Sequence, residues 1–203
     1  MLVASLCTMV SRYRLLAVLL SILVVLGLLV AYVPFHALES ETSVDSGVGT
    51  ARANDATAPS DGPLRLVVLG DGPFAERFES SLAEQLEPRW GTVERVDEPT
   101  PGETPILVVG MAETDIRYNP VSPAAEATVE FAFVGSGNGT VAAQFARGET
   151  PMVITNETPY VVQGDVTIRD RSSGVASLPG YRNLVADRLA ESLAEALGNA
   201  PGM

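Results

Sequence analysis

Between Leu15 and Val33 the chain reads LLAVLLSILVVLGLLVAYV, a stretch with no charge, broken only by Ser21, Gly27 and Tyr32. As a helix rising 1.5 Å per residue it covers about 28 Å, close to the hydrocarbon thickness of a bilayer. A helix that is apolar all round has no place on the surface of a small water-soluble domain. The run exceeds the roughly 7–15 apolar residues of a secretory signal, and no A-x-A cleavage pattern follows Val33, so the pattern predicts an uncleaved transmembrane signal anchor over residues 15–33. Arg12 and Arg14 precede the run, whereas Glu39 and Glu41 follow it. The positive-inside rule then places residues 1–14 in the cytoplasm and the remainder outside the cell membrane. Tyr13, Tyr32 and Phe35 stand where interfacial aromatics belong. Cys7, the only cysteine, precedes the run instead of ending it, so there is no lipobox, no disulfide scaffold and no Cys-rich zinc module.

Charge sets the second constraint. Of the 203 residues, 25 are acidic and 13 basic, giving a formal charge of −12, and every basic residue is Arg. Such a surface cannot neutralise a row of phosphates, which argues against nucleic-acid binding. GC-rich coding alone favours Arg over Lys. The absence of Lys with abundant Asp, Glu, Ala, Val and Gly also resembles the proteins of extremely halophilic archaea. That likeness implies a membrane-anchored protein of molar salt, where the Debye length falls to about 3 Å and acidic surfaces hardly repel each other.

Residues 39–62 read ESETSVDSGVGTARANDATAPSDG, without an aromatic and with Val44 and Val48 as the only branched aliphatics. This composition buries too little apolar surface to offset its ordering entropy, and predicts a disordered linker. Residues 63–198 then form one domain of ordinary size. Leu64–Gly70 is a buried-strand run, and Phe74, Phe78, Leu82 and Leu86 recur every fourth residue as an amphipathic helix ended by Pro88. Thr92–Val96, residues 105–110 and Met152–Thr155 read as strands. Ala127–Val134 and Thr140–Phe145 read as a hairpin around Ser136-Gly-Asn-Gly139. Tyr160–Arg169 alternates, with Val162, Gly164, Val166 and Ile168 on one face and Gln163, Asp165, Thr167 and Arg169 on the other. Asp170–Gly174 reads as a turn. A last helix follows, with Tyr181, Val185, Leu189, Leu193 and Leu197 in one stripe. The expected fold is α+β: an N-terminal transmembrane helix, then a mostly antiparallel sheet with two amphipathic helices packed on it.

Chemistry-bearing motifs are few. Gly70, Asp71, Gly72 and Ala75 fit G-x-G-x-x-A between a strand and a helix, and Asp97 ends the next strand, as in a dinucleotide-binding turn. Further βα units are missing, Pro73 removes an amide, and Asp71 sets a negative charge where phosphate would sit. The turn is better read as structural, with Asp71 capping the helix amides. Serine or cysteine catalysis needs an activating base; the only His is His36, at the membrane edge. The carboxylate pairs Asp165/Asp170 and Glu126/Glu130 have the chemistry for a cation or for acid–base work, yet suit a solvated acidic surface equally. No metal-ligand spacing is present and no cofactor is expected. Asn138-Gly-Thr and Asn156-Glu-Thr are N-glycosylation sequons in expected outward turns, so Asn138 and Asn156 are candidate acceptors.

From Ala127 to Leu197, the strand pair, the Asp170-Arg-Ser-Ser-Gly174 turn and the terminal amphipathic helix resemble envelope assembly domains of the curli-secretion and penicillin-binding-protein-activator type. That resemblance implies an α+β envelope domain. Its members are usually lipid-anchored, whereas no lipobox is found here, so their secretion and activation roles are not carried over. The expected function is a non-catalytic binding or assembly module of the cell envelope: a single-pass anchor, an extracytoplasmic domain and an envelope protein partner. The alternative is a small-molecule or nucleotide-binding domain using the 70–75 turn.

Overall fold

The structure, a computed structural model, describes residues 18–25, 37–52, 62–100, 102–135, 142–144 and 160–200. Residues 18–25 are helical, and their large apolar side chains, from Val18 to Val25, are 55–67% exposed. Among the described residues no helix is long and apolar enough to cross a membrane. The other positions of the expected 15–33 span, together with Cys7, His36 and residues 1–14, lie outside the described residues.

The domain is a mixed α+β structure built on one six-stranded sheet. In chain order its elements are β1 (Ala37–Arg52), β2 (Leu64–Leu69), α1 (Pro73–Trp90), β3 (Val93–Arg95), β4 (Ile106–Arg117), β5 (Ala124–Val134), β6 (Tyr160–Val175) and α2 (Leu178–Gly198). The strand order is β1-β6-β5-β4-β2-β3. The β1–β6, β6–β5 and β5–β4 pairs are antiparallel, as expected. The β2–β3 and β2–β4 pairs are parallel, because α1 carries the chain back before β3 begins and β3 leads into a second return before β4. The sheet is therefore mixed, more evenly so than its sequence suggests.

Both helices cover one face. Phe78, Leu82 and Leu86 of α1 and Tyr181, Val185, Leu189, Leu193 and Leu197 of α2 are all buried, packed over Leu66, Val109, Val129, Phe131 and Val166. Burying a side chain of this size contributes roughly 1.5–3 kcal/mol, so the two stripes supply most of the adhesion between layers. A bidentate Arg77–Asp187 pair, at 2.7 and 2.8 Å, ties α1 to α2. It also raises the Arg77 guanidinium above its ordinary value, chiefly through the hydrogen bond to Asp187. α1 runs through Pro88 to Trp90, beyond the end its proline predicts. The buried Trp90 ring meets Phe133 at 5.4 Å, and that packing holds the last turn against the lost hydrogen bond. A smaller cluster of Val67, Ile106, Val108, Ala132, Val134, Ala142, Ala143 and Val161 lies on the opposite face.

Three other expectations need correcting. The 39–62 linker is not disordered over residues 39–52. That part belongs to β1, which pairs with β6 at every position from Ala37↔Val175 to Arg52↔Tyr160. Its poverty in apolar residues suits an edge strand, where backbone hydrogen bonds to a neighbour replace burial as the ordering force. Gly164 of β6 permits a close approach there: a Cβ on it would overlap the Gly47 carbonyl of β1. The sheet thus includes residues 37–52, which precede the expected domain start at 63. Secondly, Asp170–Gly174 is no turn. β6 continues through it to Val175 because β1, and then the backbone of residues 120–123, supply hydrogen-bond partners on both sides. Thirdly, residues 142–144 are helical where a hairpin strand was expected, and β5 takes β6 as its antiparallel neighbour. The remainder of that hairpin, the 152–155 strand and residues 53–61 lie outside the described residues.

Candidate functional site

The alternation of β6 explains the most unusual group in the domain. Val166 and Ile168 point toward the helices, and the same period of two sends Asp170 and Ser172 inward after them. Asp170 is 1% exposed and Ser172 5%. An ionised carboxylate in that position is tolerated only if its lone pairs are satisfied. They are. The Tyr181 hydroxyl donates to Oδ2 at 2.8 Å and the Ser172 hydroxyl at 2.7 Å, while Thr42 of β1 donates to Oδ1 at 2.7 Å. Arg188 of α2 completes the shell, its Nη1 2.9 Å from Oδ1. Its guanidinium also contacts the hydroxyls of Thr42 and Ser40. Burial, followed by the bond to Asp170, pushes the Tyr181 phenol far above its usual range, so it stays a donor. The cluster joins β1, β6 and α2. With every oxygen engaged, it holds structure together and leaves no lone pair for a substrate.

The opposite face carries the second polar group. Sheet register sets Arg117, Ala124, Arg171 and Glu41 in one row across β4, β5, β6 and β1, and Asp115, Glu126, Arg169 and Ser43 in the next. Arg169 bridges Glu126 and Asp45, both at 2.9 Å, and Arg117 reaches Asp115 at 2.7 Å. These exposed pairs are worth about 0–1 kcal/mol each. They line a shallow recess of about 120 Å³ with Asp115, Arg117, Glu126, Arg169 and Arg171 around it. Alternating charge on an open rim is suited to recognising a polar surface, and it lacks the enclosed apolar pocket of a small-molecule site.

The residues singled out from sequence are scattered. Asp165 and Asp170 fall on opposite faces of β6, one exposed and the other buried, so they form no pair. Glu126 and Glu130 share the open face. Glu126 is engaged by Arg169, whereas Glu130 lies across from Asp165 in register, acid facing acid. No group of three or more His, Cys, Asp or Glu placed for a metal occurs among the described residues. Gly70, Asp71 and Gly72 are exposed and Ala75 is buried in the first turn of α1. The helix cap is Gly72, at φ 90°, and no side chain bonds the first-turn amides, so Asp71 does not cap. Met111 covers Gly70 closely enough that a Cβ would meet its Cγ at 2.8 Å. With Pro73 opening the helix and Glu76 in its first turn, this end offers little to a phosphate. Asp97 is exposed. Asn138 and Asn156 lie outside the described residues. Sequence reasoning missed Thr42, Ser172 and Arg188 as partners of Asp170. The signal was present: the period of two runs unbroken from Val166 to Ser172, with no proline and no glycine before Gly174.

No family model matches the chain, and no curated protein does. Among solved structures, the PelC dodecamer from Paraburkholderia phytofirmans aligns at 11% identity and TM-score 0.37, over 74% of this chain and 98% of that one. A minor lipoprotein from Acinetobacter baumannii aligns at 14% identity and TM-score 0.34, over 66% and 87%. A neuraminyllactose-binding hemagglutinin homolog from Helicobacter pylori aligns at 11% and 0.33, over 72% and 87%. Overlaps this loose assign neither family nor activity to this chain.

Proposed function

We propose that this is a single-pass membrane protein, N-terminus in the cytoplasm, that holds a non-catalytic α+β binding or assembly module on the outer side of the cell membrane, where an envelope protein is its partner. The observation that carries the reading is the uncharged Leu15–Val33 run, behind Arg12 and Arg14 and ahead of every acidic residue in the chain. The helical part at residues 18–25 supports it. Its apolar side chains are exposed instead of packed on the domain, as suits a segment whose solvent is lipid. The open charged face of β4, β5, β6 and β1 is the surface offered to the partner. The Arg-only, acidic composition fits a setting of high salt, in which these exposed pairs are screened and recognition rests on shape and hydrogen bonding.

Protease added to intact cells tests the topology. The acidic domain is expected to be digested while an epitope fused before Met1 survives. A domain that resists until the cells are lysed, or a mature chain recovered free in the medium and starting after Val33, overturns the reading. Gentle solubilisation in high salt, followed by co-purification, then identifies the partner.

A further inference from the structure

We propose that the end of the domain bearing Tyr118, Val121 and Val175 rests directly on the lipid surface, so that the module is docked on the membrane instead of standing off it. This rests on the anchor reading above and adds an orientation and a contact surface to it.

Chain length is the first support. β1 begins at Ala37, four residues after Val33, and four residues span at most about 14 Å. The slack that residues 39–52 would have offered as a tether is spent in a strand paired along its whole length with β6. Wherever the apolar run meets the headgroups, the Ala37 end of the sheet is close by.

The second support is what that end exposes. Ala37 lies across from Val175, which is 52% exposed. The Val121 carbonyl accepts from the Gly174 amide at 3.1 Å, and Val121 itself is 60% exposed. The Tyr118 hydroxyl donates to the Ala176 carbonyl at 2.8 Å, and the residue is 38% exposed. Three large apolar side chains therefore gather around residues 174–176. Outside the helical 18–25 stretch, the only other exposed large apolar side chains among the described residues are Val44 and Val48 of β1.

The third support is the chemistry of the patch. Much of its backbone is already paired. The Ser172 and Ala176 amides donate to the Pro123 and Pro120 carbonyls, and the Val121 amide donates to Asn119 Oδ1. Contact with an apolar medium therefore strands few polar groups. Tyr118, polar at one end and apolar along its ring, is a side chain favoured at the lipid–water boundary. The exposed Arg117 and Arg171 lie in the register row next to it, Arg117 paired with Asp115, and Glu39 and Glu41 stand at the same edge on β1.

The test uses the full chain with Cys7→Ser as background, reconstituted in phosphatidylcholine–phosphatidylglycerol vesicles with and without spin-labelled lipid. Single cysteines carrying an environment-sensitive fluorophore are placed by Val121→Cys and Val175→Cys at the patch, Leu23→Cys in the anchor and Gln85→Cys on the exposed side of α1. Circular dichroism matching the parent verifies each fold. Labels at 121 and 175 are expected to emit to the blue of the label at 85 and to lose intensity with spin-labelled lipid. If the label at 23 is quenched while those at 121 and 175 behave like the label at 85, the docking surface is wrong and the anchor stands. A blue shift at 121 without quenching means that protein covers the patch, and overturns the lipid assignment. An unquenched label at 23 removes the anchor reading and the docking with it.

Discussion

Arg188 on α2 and Asp170 on β6 lie 2.9 Å apart, with the carboxylate sealed from solvent and the guanidinium side chain 29% exposed. Through Thr42 and Ser40 the same guanidinium reaches β1, so one cation fastens the edge strand and the last helix to the centre of the sheet. Removing one partner of such a pair strands the other charge, which is why its loss costs more than its presence contributes.

Replacing Asp170→Ala leaves Arg188, Tyr181, Ser172 and Thr42 without their common acceptor. Urea denaturation should show a loss of about 3–5 kcal/mol. Hydrogen exchange should quicken in β1 first, since it is the edge strand and its Thr42 side chain loses its carboxylate acceptor. Asp170→Asn should cost less, because the amide keeps one acceptor oxygen.

Tyr181 gives a pH signature. Its folded pKa is raised, first by burial and then by the bond to Asp170, so the neutral phenol is the form the fold favours. The stability it contributes is complete below the ordinary phenol pKa of about 10 and declines as pH rises above that value toward the folded one. Thermal melts across the alkaline range should show this decline in the parent. In Tyr181→Phe the alkaline limb should flatten, at a cost near neutral pH of about 1.5–3 kcal/mol for the lost bond to a charged acceptor.

Asp71→Ala separates two readings of the glycine turn. With no amide capped by its carboxylate, the replacement should move stability by no more than about 0.5 kcal/mol, less than the roughly 1 kcal/mol of a lost cap. Thermal shift against nucleotides should be absent in parent and variant alike. A nucleotide-dependent shift that disappears with Asp71→Ala would favour a ligand-binding turn.

The helices were legible because their signal is local. Phe78, Leu82 and Leu86, and the Tyr181-to-Leu197 stripe, recur at the helical period and are buried where that period places them. β1 was illegible for the opposite reason. Nothing in Glu39–Arg52 prefers a strand strongly, and its order comes from a partner more than a hundred residues away in sequence, with Gly164 making room for it. Asp170 was hidden differently: its period of two is in the sequence, but a polar run ending in Gly174 outweighed it. Its polar neighbours read as a turn until β1 and residues 120–123 close on both flanks, after which an inward carboxylate becomes the hub of a cluster. The glycine turn was over-read as a cap because composition shows an acid near a helix start and cannot show that Gly72 takes the cap position.

The pairing of β1 with β6 also has a mechanical consequence. Tension applied at Ala37 against a load at the far end of the sheet would run along the axis of β1, so that all sixteen residues resist sliding together. The strand then acts as a lap joint, with the Arg188 cluster as its rivet, and a domain pulled through its first strand in this way can transmit force along its length.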